Sequence, residues 1–214
     1  MRIEFIAHAT FVLTLSNGRR IILDPYEGMA FGGAFNYPAY PTRCDVAAIT
    51  HDHADHAHLG DLSGDPIVVR DRYVSEGLRI ESVRVCHDKF GGEKFGGAVD
   101  MKVIEAEGLR ICHMGDCGEL PSEAVAERLR PLDLLLVPVG GFYTIDGTEA
   151  ADWTKLIRAR TTIPCHYRTS LCQLPIEDEA RFLLHFEQYT RLEDFGAEVS
   201  EFPEGIVLMP SMYR

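Results

Sequence analysis

Four ligand-type side chains crowd one short stretch of this chain, where it reads Thr50-His51-Asp52-His53-Ala54-Asp55-His56. His51 and His53 are two residues apart, so on an extended segment both imidazoles point to the same side. Asp55 and His56 follow at once, where the chain turns. Imidazole and carboxylate together suit zinc and related first-row ions, and burying such a cluster without a counter-charge is costly. The segment therefore reads as a metal site, against the alternative of a solvated polar loop.

The elements around it explain how such groups are presented. Val46-Ala47-Ala48-Ile49 is a short apolar strand that runs directly into the cluster. The arrangement recurs: Ser82 to Cys86 ends at His87, Leu109 to Cys112 ends at His113, and Ile163-Pro164-Cys165 ends at His166. Polar groups thus sit at the carboxyl ends of strands. Arg2 to Leu23 alternates in part, with Ser16-Asn17-Gly18 as a turn, which predicts antiparallel strands. Residues 26–41 bring glycines and aromatics without period and read as a long loop. Helices are expected over Ala54 to Leu62, from Pro121 towards Arg130, over Thr148 to Ala159 and over Ile176 to Leu192. Leu134 to Val137 is a continuous apolar run, typical of a strand buried on both faces. The second half therefore reads as α/β layering.

With 214 residues and 46% hydrophobic content, the chain suits one domain spanning 1–214. A formal net charge of -12 argues against nucleic acid or anionic membrane as the main partner. No apolar run approaches the roughly 20 residues of a membrane helix, and Met1 to His8 is too short and polar for a signal peptide. Six cysteines without a C-x-x-C pair do not suggest a disulfide scaffold. The expectation is a cytoplasmic protein.

H-x-H-x-D-H after a short apolar strand resembles the signature of the metallo-β-lactamase superfamily. Asp24 in Leu23-Asp24-Pro25, His87, His113-Met114-Gly115-Asp116 and Pro164-Cys165-His166-Tyr167 follow in the order that superfamily uses. The likeness covers nearly the whole chain. Phe5-Ile6-Ala7-His8-Ala9-Thr10, the H-x-G-D form and the P-x-H-Y-x-T ending are similar to the small single-domain hydrolases that include L-ascorbate-6-phosphate lactonase.

The resemblance implies an α/β (α+β) fold, a four-layer αββα sandwich of two mixed sheets flanked by helices, with the metal site at one edge. It also implies that His51, His53 and His87 hold one divalent cation, that Asp55, His56 and His166 hold a second, and that Asp116 bridges them. Zn²⁺ is the first expectation, with Mn²⁺ or Fe²⁺ as alternatives. The implied activity is hydrolysis of a small ester, lactone or phosphodiester by a metal-bridging hydroxide, with Asp55 and Asp116 central to catalysis. His53 stands where oxygen-reducing diiron members place a glutamate, which favours hydrolysis. Two other readings stay open. An RNA-processing nuclease is disfavoured by the acidic balance and by the short stretch between Asp116 and His166. A catalytically silent metal-binding protein is disfavoured because all seven expected ligands are present.

Several residues carry two readings each. Asp24 suits an outer partner for a metal-bound histidine, or a turn-forming Asp-Pro. His8 and His113 suit catalytic roles, orienting water or donating a proton, or are core histidines. Lys89 and Lys94, in the glycine-rich stretch 88–97, can meet an anionic group on a small-molecule substrate, or are solvated. Gly140 to Thr144, Tyr167 and Arg168 are expected at the mouth of the site, with Arg168 either an anion binder or half of a surface ion pair. Phe31, Phe35 and Tyr37 can form a lid or a docking surface. Cys112, Cys117 and Cys165 read as small buried residues, with metal ligation as the alternative. His58 and His185 receive no role.

Overall fold

A computed structural model describes residues 1–213. The strands run Arg2–Ala7 (β1), Thr10–Thr14 (β2), Arg20–Leu23 (β3), Thr42–Arg43 (β4), Val46–Ala48 (β5), Leu62–Ser63 (β6), Ile67–Val69 (β7) and Tyr73–Ser75 (β8). They continue as Leu78–Cys86 (β9), Ala98–Ala106 (β10), Leu109–His113 (β11), Leu134–Pro138 (β12), Thr161–Cys165 (β13), Thr190–Arg191 (β14), Gly196–Glu198 (β15) and Gly205–Leu208 (β16). The α-helices are Glu123–Leu129 (α1), Gly147–Ile157 (α2) and Ala180–Leu183 (α3).

Two mixed sheets result, one ordered β15-β1-β2-β3-β5-β7 and the other β14-β16-β13-β12-β11-β10-β9-β8. Strand periodicity shows why they stack. Phe11, Leu13, Ile21, Leu23, Val46 and Ala48 turn one face of the first sheet into the apolar cluster shared with the second. Their neighbours Val12, Ile22 and Ala47 point the other way and are equally buried. Strands that are apolar on both faces need cover on both sides.

The outer cover differs between the sheets. On the eight-stranded sheet α2 packs against β12, beside α1 and α3. On the six-stranded sheet the cover is the loop after β3, which lays Tyr26, Phe35 and Tyr37 over Val12, Ile22 and Ala47. Phe35 and Tyr37 are fully buried, so they are core rather than lid or docking surface. Phe31 meets the Phe35 ring edge-on at 6.1 Å but stays 47% exposed.

Helices α1 and α2 form close to where the sequence predicts them. Ser122 caps α1, and Asp146 with Glu149 makes a capping box for α2. The other two expected helices are corrected. Residues 54–62 make two short turns and no helix, because the amides of His56 and Ala57 both go to the His53 carbonyl, that of His58 is drawn to Pro25, and that of Leu62 closes a separate turn on Leu59. Leu62 then leaves as a strand paired with Thr42. Over 176–192 only Ala180–Leu183 is α-helical. There the Glu177 amide is committed to Gly140 and its carbonyl to Arg168, which delays the helix, and Thr190 exits to pair with β16.

Candidate metal centre

Carboxyl ends of strands from both sheets converge on one edge. β1 delivers His8, β5 leads into His51 to His56, β9 delivers His87, β11 leads through His113 to Asp116, and β13 delivers His166. The donors fall into two groups, His51, His53, His87 and Asp116, and His8, Asp55, His56 and His166. Within each group the donor atoms all lie within 4.8 Å of one another.

In the first group, three imidazole nitrogens face each other. His53 Nδ1 lies 3.0 Å from His51 Nε2 and 3.3 Å from His87 Nε2. A cation bonded tetrahedrally to three such nitrogens would hold them roughly 3.3 Å apart. Asp116 stands between the groups. Its Oδ1 is 2.9 Å from His56 Nε2 and 3.2 Å from His166 Nε2, while its Oδ2 is 3.7 Å from Nε2 of both His51 and His87.

Asp24 lies behind both groups. Its Oδ1 accepts the Thr50 amide at 2.8 Å, and its Oδ2 accepts the Thr50 hydroxyl at 2.7 Å, His56 Nδ1 at 2.9 Å and His113 Nε2 at 2.8 Å. Thr50 Oγ1 is in turn 3.0 Å from His51 Nδ1. One buried carboxylate thus fixes a histidine in each group, directly or through a hydroxyl. His113, placed on Asp24 rather than in either group, is one carboxylate removed from the donors. Thr50 was invisible as a functional residue in the sequence, although it immediately precedes His51. The Asp116 loop approaches Thr50 so closely that a Cβ at Gly115 would lie 2.5 Å from Thr50 Oγ1, and Gly115 has φ +53°.

The electrostatics favour cations. Burial would raise the carboxyls of Asp24, Asp55 and Asp116, but facing histidines hold all three well below the usual carboxylate range. Burial would likewise lower His56, yet Asp116, Asp55 and Asp24 hold it well above its ordinary value. Burial pushes His51 down to about 3 and His8 to about 4, and lowers His53, so these rings are neutral, as metal ligands must be. Three buried carboxylates, each held in its ionised form, thus converge on the histidines of the site. His56 Nε2 and Asp116 Oδ1, although 2.9 Å apart, and both ring nitrogens of His8 are buried without an aligned hydrogen bond among the described residues. Convergent nitrogens, ring nitrogens without aligned partners and three ionised carboxylates all fit divalent cations.

A cavity of about 240 Å³ opens on the centre. His53, Asp55, His87 and Asp116 form its polar floor, and Phe31, Phe95, Tyr143 and Leu174 its apolar walls. Phe95 is held by a feature that sequence reading missed. Asp88 accepts the amides of Phe90, Gly92, Lys94 and Phe95 at 2.7 to 3.0 Å, so the glycine-rich stretch folds around its carboxylate.

The remaining expectations divide. Tyr143 lines the cavity, but Tyr167 is buried in the core and not at the mouth. Arg168 pairs with Asp178 at 3.8 Å on the surface, the ion-pair reading. Lys89 pairs with Glu149, and Lys94 lies over the Phe95 ring at 4.6 Å. All six cysteines are free, and Cys112, Cys117 and Cys165 are buried beside the centre without belonging to either donor group. His58 lies near Asp61 and His185 near Thr148, away from the donors.

The chain is similar to several known proteins. The family model for the beta-lactamase superfamily domain matches residues 2–166, a span that contains every donor named above. A protein of Thermotoga maritima, assigned as a Zn-dependent hydrolase of the metallo-beta-lactamase superfamily, is 31% identical, with 97% of both chains covered and a TM-score of 0.79. A UPF0173 metal-dependent hydrolase of Thermococcus onnurineus is 29% identical over 197 residues, 79% of this chain and 85% of its own. A protein of Parabacteroides distasonis, assigned as a metal-dependent hydrolase, shares the fold at 20% identity and a TM-score of 0.66, covering 86% of this chain and 87% of its own.

Proposed function

Since the chain belongs to the beta-lactamase superfamily domain family and is a metal-dependent hydrolase, we propose that it is a binuclear enzyme acting on a small ester, lactone or phosphodiester. The observation that carries this reading is the two-sided placement of Asp116, whose oxygens face different histidine pairs. His51, His53 and His87 would hold one cation and Asp55, His56 and His166 the other, with Asp116 placed between the two groups. Zn²⁺ suits this imidazole-rich set, with Mn²⁺ or Fe²⁺ as alternatives.

When bound, such a pair supplies an acidified water and polarises the substrate oxygen. The chain's own residues do the rest. Phe31, Phe95, Tyr143 and Leu174 exclude water and seat an apolar portion of the substrate over the floor. Lys94, over the Phe95 ring in the adjoining pocket that shares Phe95 and Tyr143 with the cavity, meets an anionic substituent where the substrate carries one. Asp24 and Thr50 keep His51 and His56 in the tautomers that present Nε2 to the centre. His113 acts through Asp24 as a positioning residue.

One continuous apolar cluster joins both sheets, which supports reading residues 1–214 as one domain. Six unpaired cysteines support a reducing compartment such as the cytoplasm. No helix among the described residues is long and apolar enough to cross a membrane.

Elemental analysis of natively purified protein, together with an ester, lactone and phosphodiester panel under Zn²⁺, Mn²⁺ and Fe²⁺, tests the proposal. Two equivalents of metal and turnover on one class are expected, with Asp116→Ala losing at least one equivalent and most turnover. An Asp116→Ala protein with full metal content and activity would remove Asp116 as the bridge.

A further inference from the structure

His8 is the buried histidine to which the reading above gives no task. It is 1% exposed, and neither ring nitrogen makes a hydrogen bond among the described residues. Buried polar atoms nearly always have a partner. Its backbone is left-handed at φ +57°, and its carbonyl accepts the His166 amide at 2.8 Å, His166 being left-handed too at φ +50°. This clamp joins the end of β1 to the end of β13, one strand from each sheet, and sets the two imidazoles with centroids 3.9 Å apart.

The ring faces donors, not substrate. His8 Nε2 lies 3.3 Å from Asp55 Oδ2, and its donor belongs with those of Asp55, His56 and His166 in one group spanning no more than 4.8 Å. Asp55 lines the cavity, whereas His8 does not, and Phe35 covers its ring edge-on at 5.1 Å. A group behind the floor cannot hand a proton to a substrate in front of it, which removes the proton-donor role considered for His8.

We propose that His8 is a ligand of the inner cation, so that the inner site is closed by protein while the outer group keeps the face open to substrate. This rests on the two-cation reading above. His8, Asp55, His56 and His166 make four donors, and Asp116 Oδ1, within 3.2 Å of both His56 and His166, adds a fifth. A site saturated by side chains holds its ion in the manner of a structural site, whereas an open one exchanges water and substrate. The pair is therefore asymmetric, with a retained inner ion and a labile outer one.

The test is metal retention under graded chelator, read by elemental analysis, with one-equivalent Co²⁺ absorption as a spectroscopic readout. Wild type loses its two cations in separate steps. His51→Ala removes the weaker step and keeps the tighter one. His8→Ala and His8→Gln, each checked for cooperative thermal unfolding, shift the tighter step by about tenfold or more and change the Co²⁺ spectrum of the first equivalent. Folded His8 variants that keep both the tight step and the spectrum overturn the assignment, as does a wild type that releases both ions together. A wild type that takes up fewer than two cations overturns the two-cation reading itself, and this inference with it.

Discussion

Asp24 Oδ2 holds His56 Nδ1 at 2.9 Å with both side chains out of contact with solvent, and that bond ties the end of β3 to the donor loop after β5. The same oxygen is also the acceptor for His113 and Thr50. Asp24→Asn keeps the volume but turns one acceptor into a donor facing the other N–H and O–H groups. Metal affinity is expected to fall by about 10- to 100-fold, with the fold retained. Calorimetric titration of the metal-free variant measures this, and an affinity equal to wild type would show that Asp24 is only a turn residue.

Gly115 is needed for the contact between the Asp116 loop and Thr50. In Gly115→Ala the new methyl meets Thr50 Oγ1 at 2.5 Å on a backbone with φ +53°. Overpacking of this kind costs about 1 to 3 kcal/mol, and it displaces Asp116 and Thr50 together. Thermal unfolding and metal content should therefore drop in the same variant. Wild-type values in both would mean that the two loops do not approach so closely.

Asp88 organises the stretch that carries Phe95. Asp88→Ala leaves four amides without their acceptor, so residues 89–97 loosen while the donors stay in place. Limited proteolysis should then cut within 89–97 faster than in wild type, with metal content unchanged. Equal cutting rates would show that the glycines, not the carboxylate, set this conformation.

Lys102 supplies a pH signature away from the donors. It is fully buried on β10, donating to the Arg70 carbonyl and to Ser82 Oγ, and burial pushes its ammonium down to about 8. The folded chain then binds fewer protons than the unfolded one between about pH 8 and 10.5, so this lysine destabilises the fold below pH 8 and that cost is relieved as pH rises. Denaturant unfolding should show wild type gaining stability relative to Lys102→Met from pH 7.5 to pH 10. Parallel behaviour of the two proteins would refute the depressed ammonium.

The sequence by itself determined what is local. The spacing of His51, His53, Asp55 and His56 after Val46–Ala48, and the placing of His87, His113 and His166 at the ends of later strands, need only strand period and turn position, whereas Asp116 was marked by the family resemblance. The caps of α1 and α2 are equally local, being short contacts between neighbours in the chain.

Only the tertiary structure decided what depends on partners far away. The expected helix over 54–62 yields to contacts with Pro25 and Thr42, and most of that over 176–192 to Gly140 and Arg168. Phe35 and Tyr37 become core because Val12, Ile22 and Ala47 need cover. Which Asp116 oxygen faces which histidines, the anchoring by Asp24 and the position of His8 behind Asp55 all arise where two sheets meet. Periodicity says which way a side chain leaves its own strand, but the atom it meets belongs to another strand, brought near by burial of the apolar faces between them.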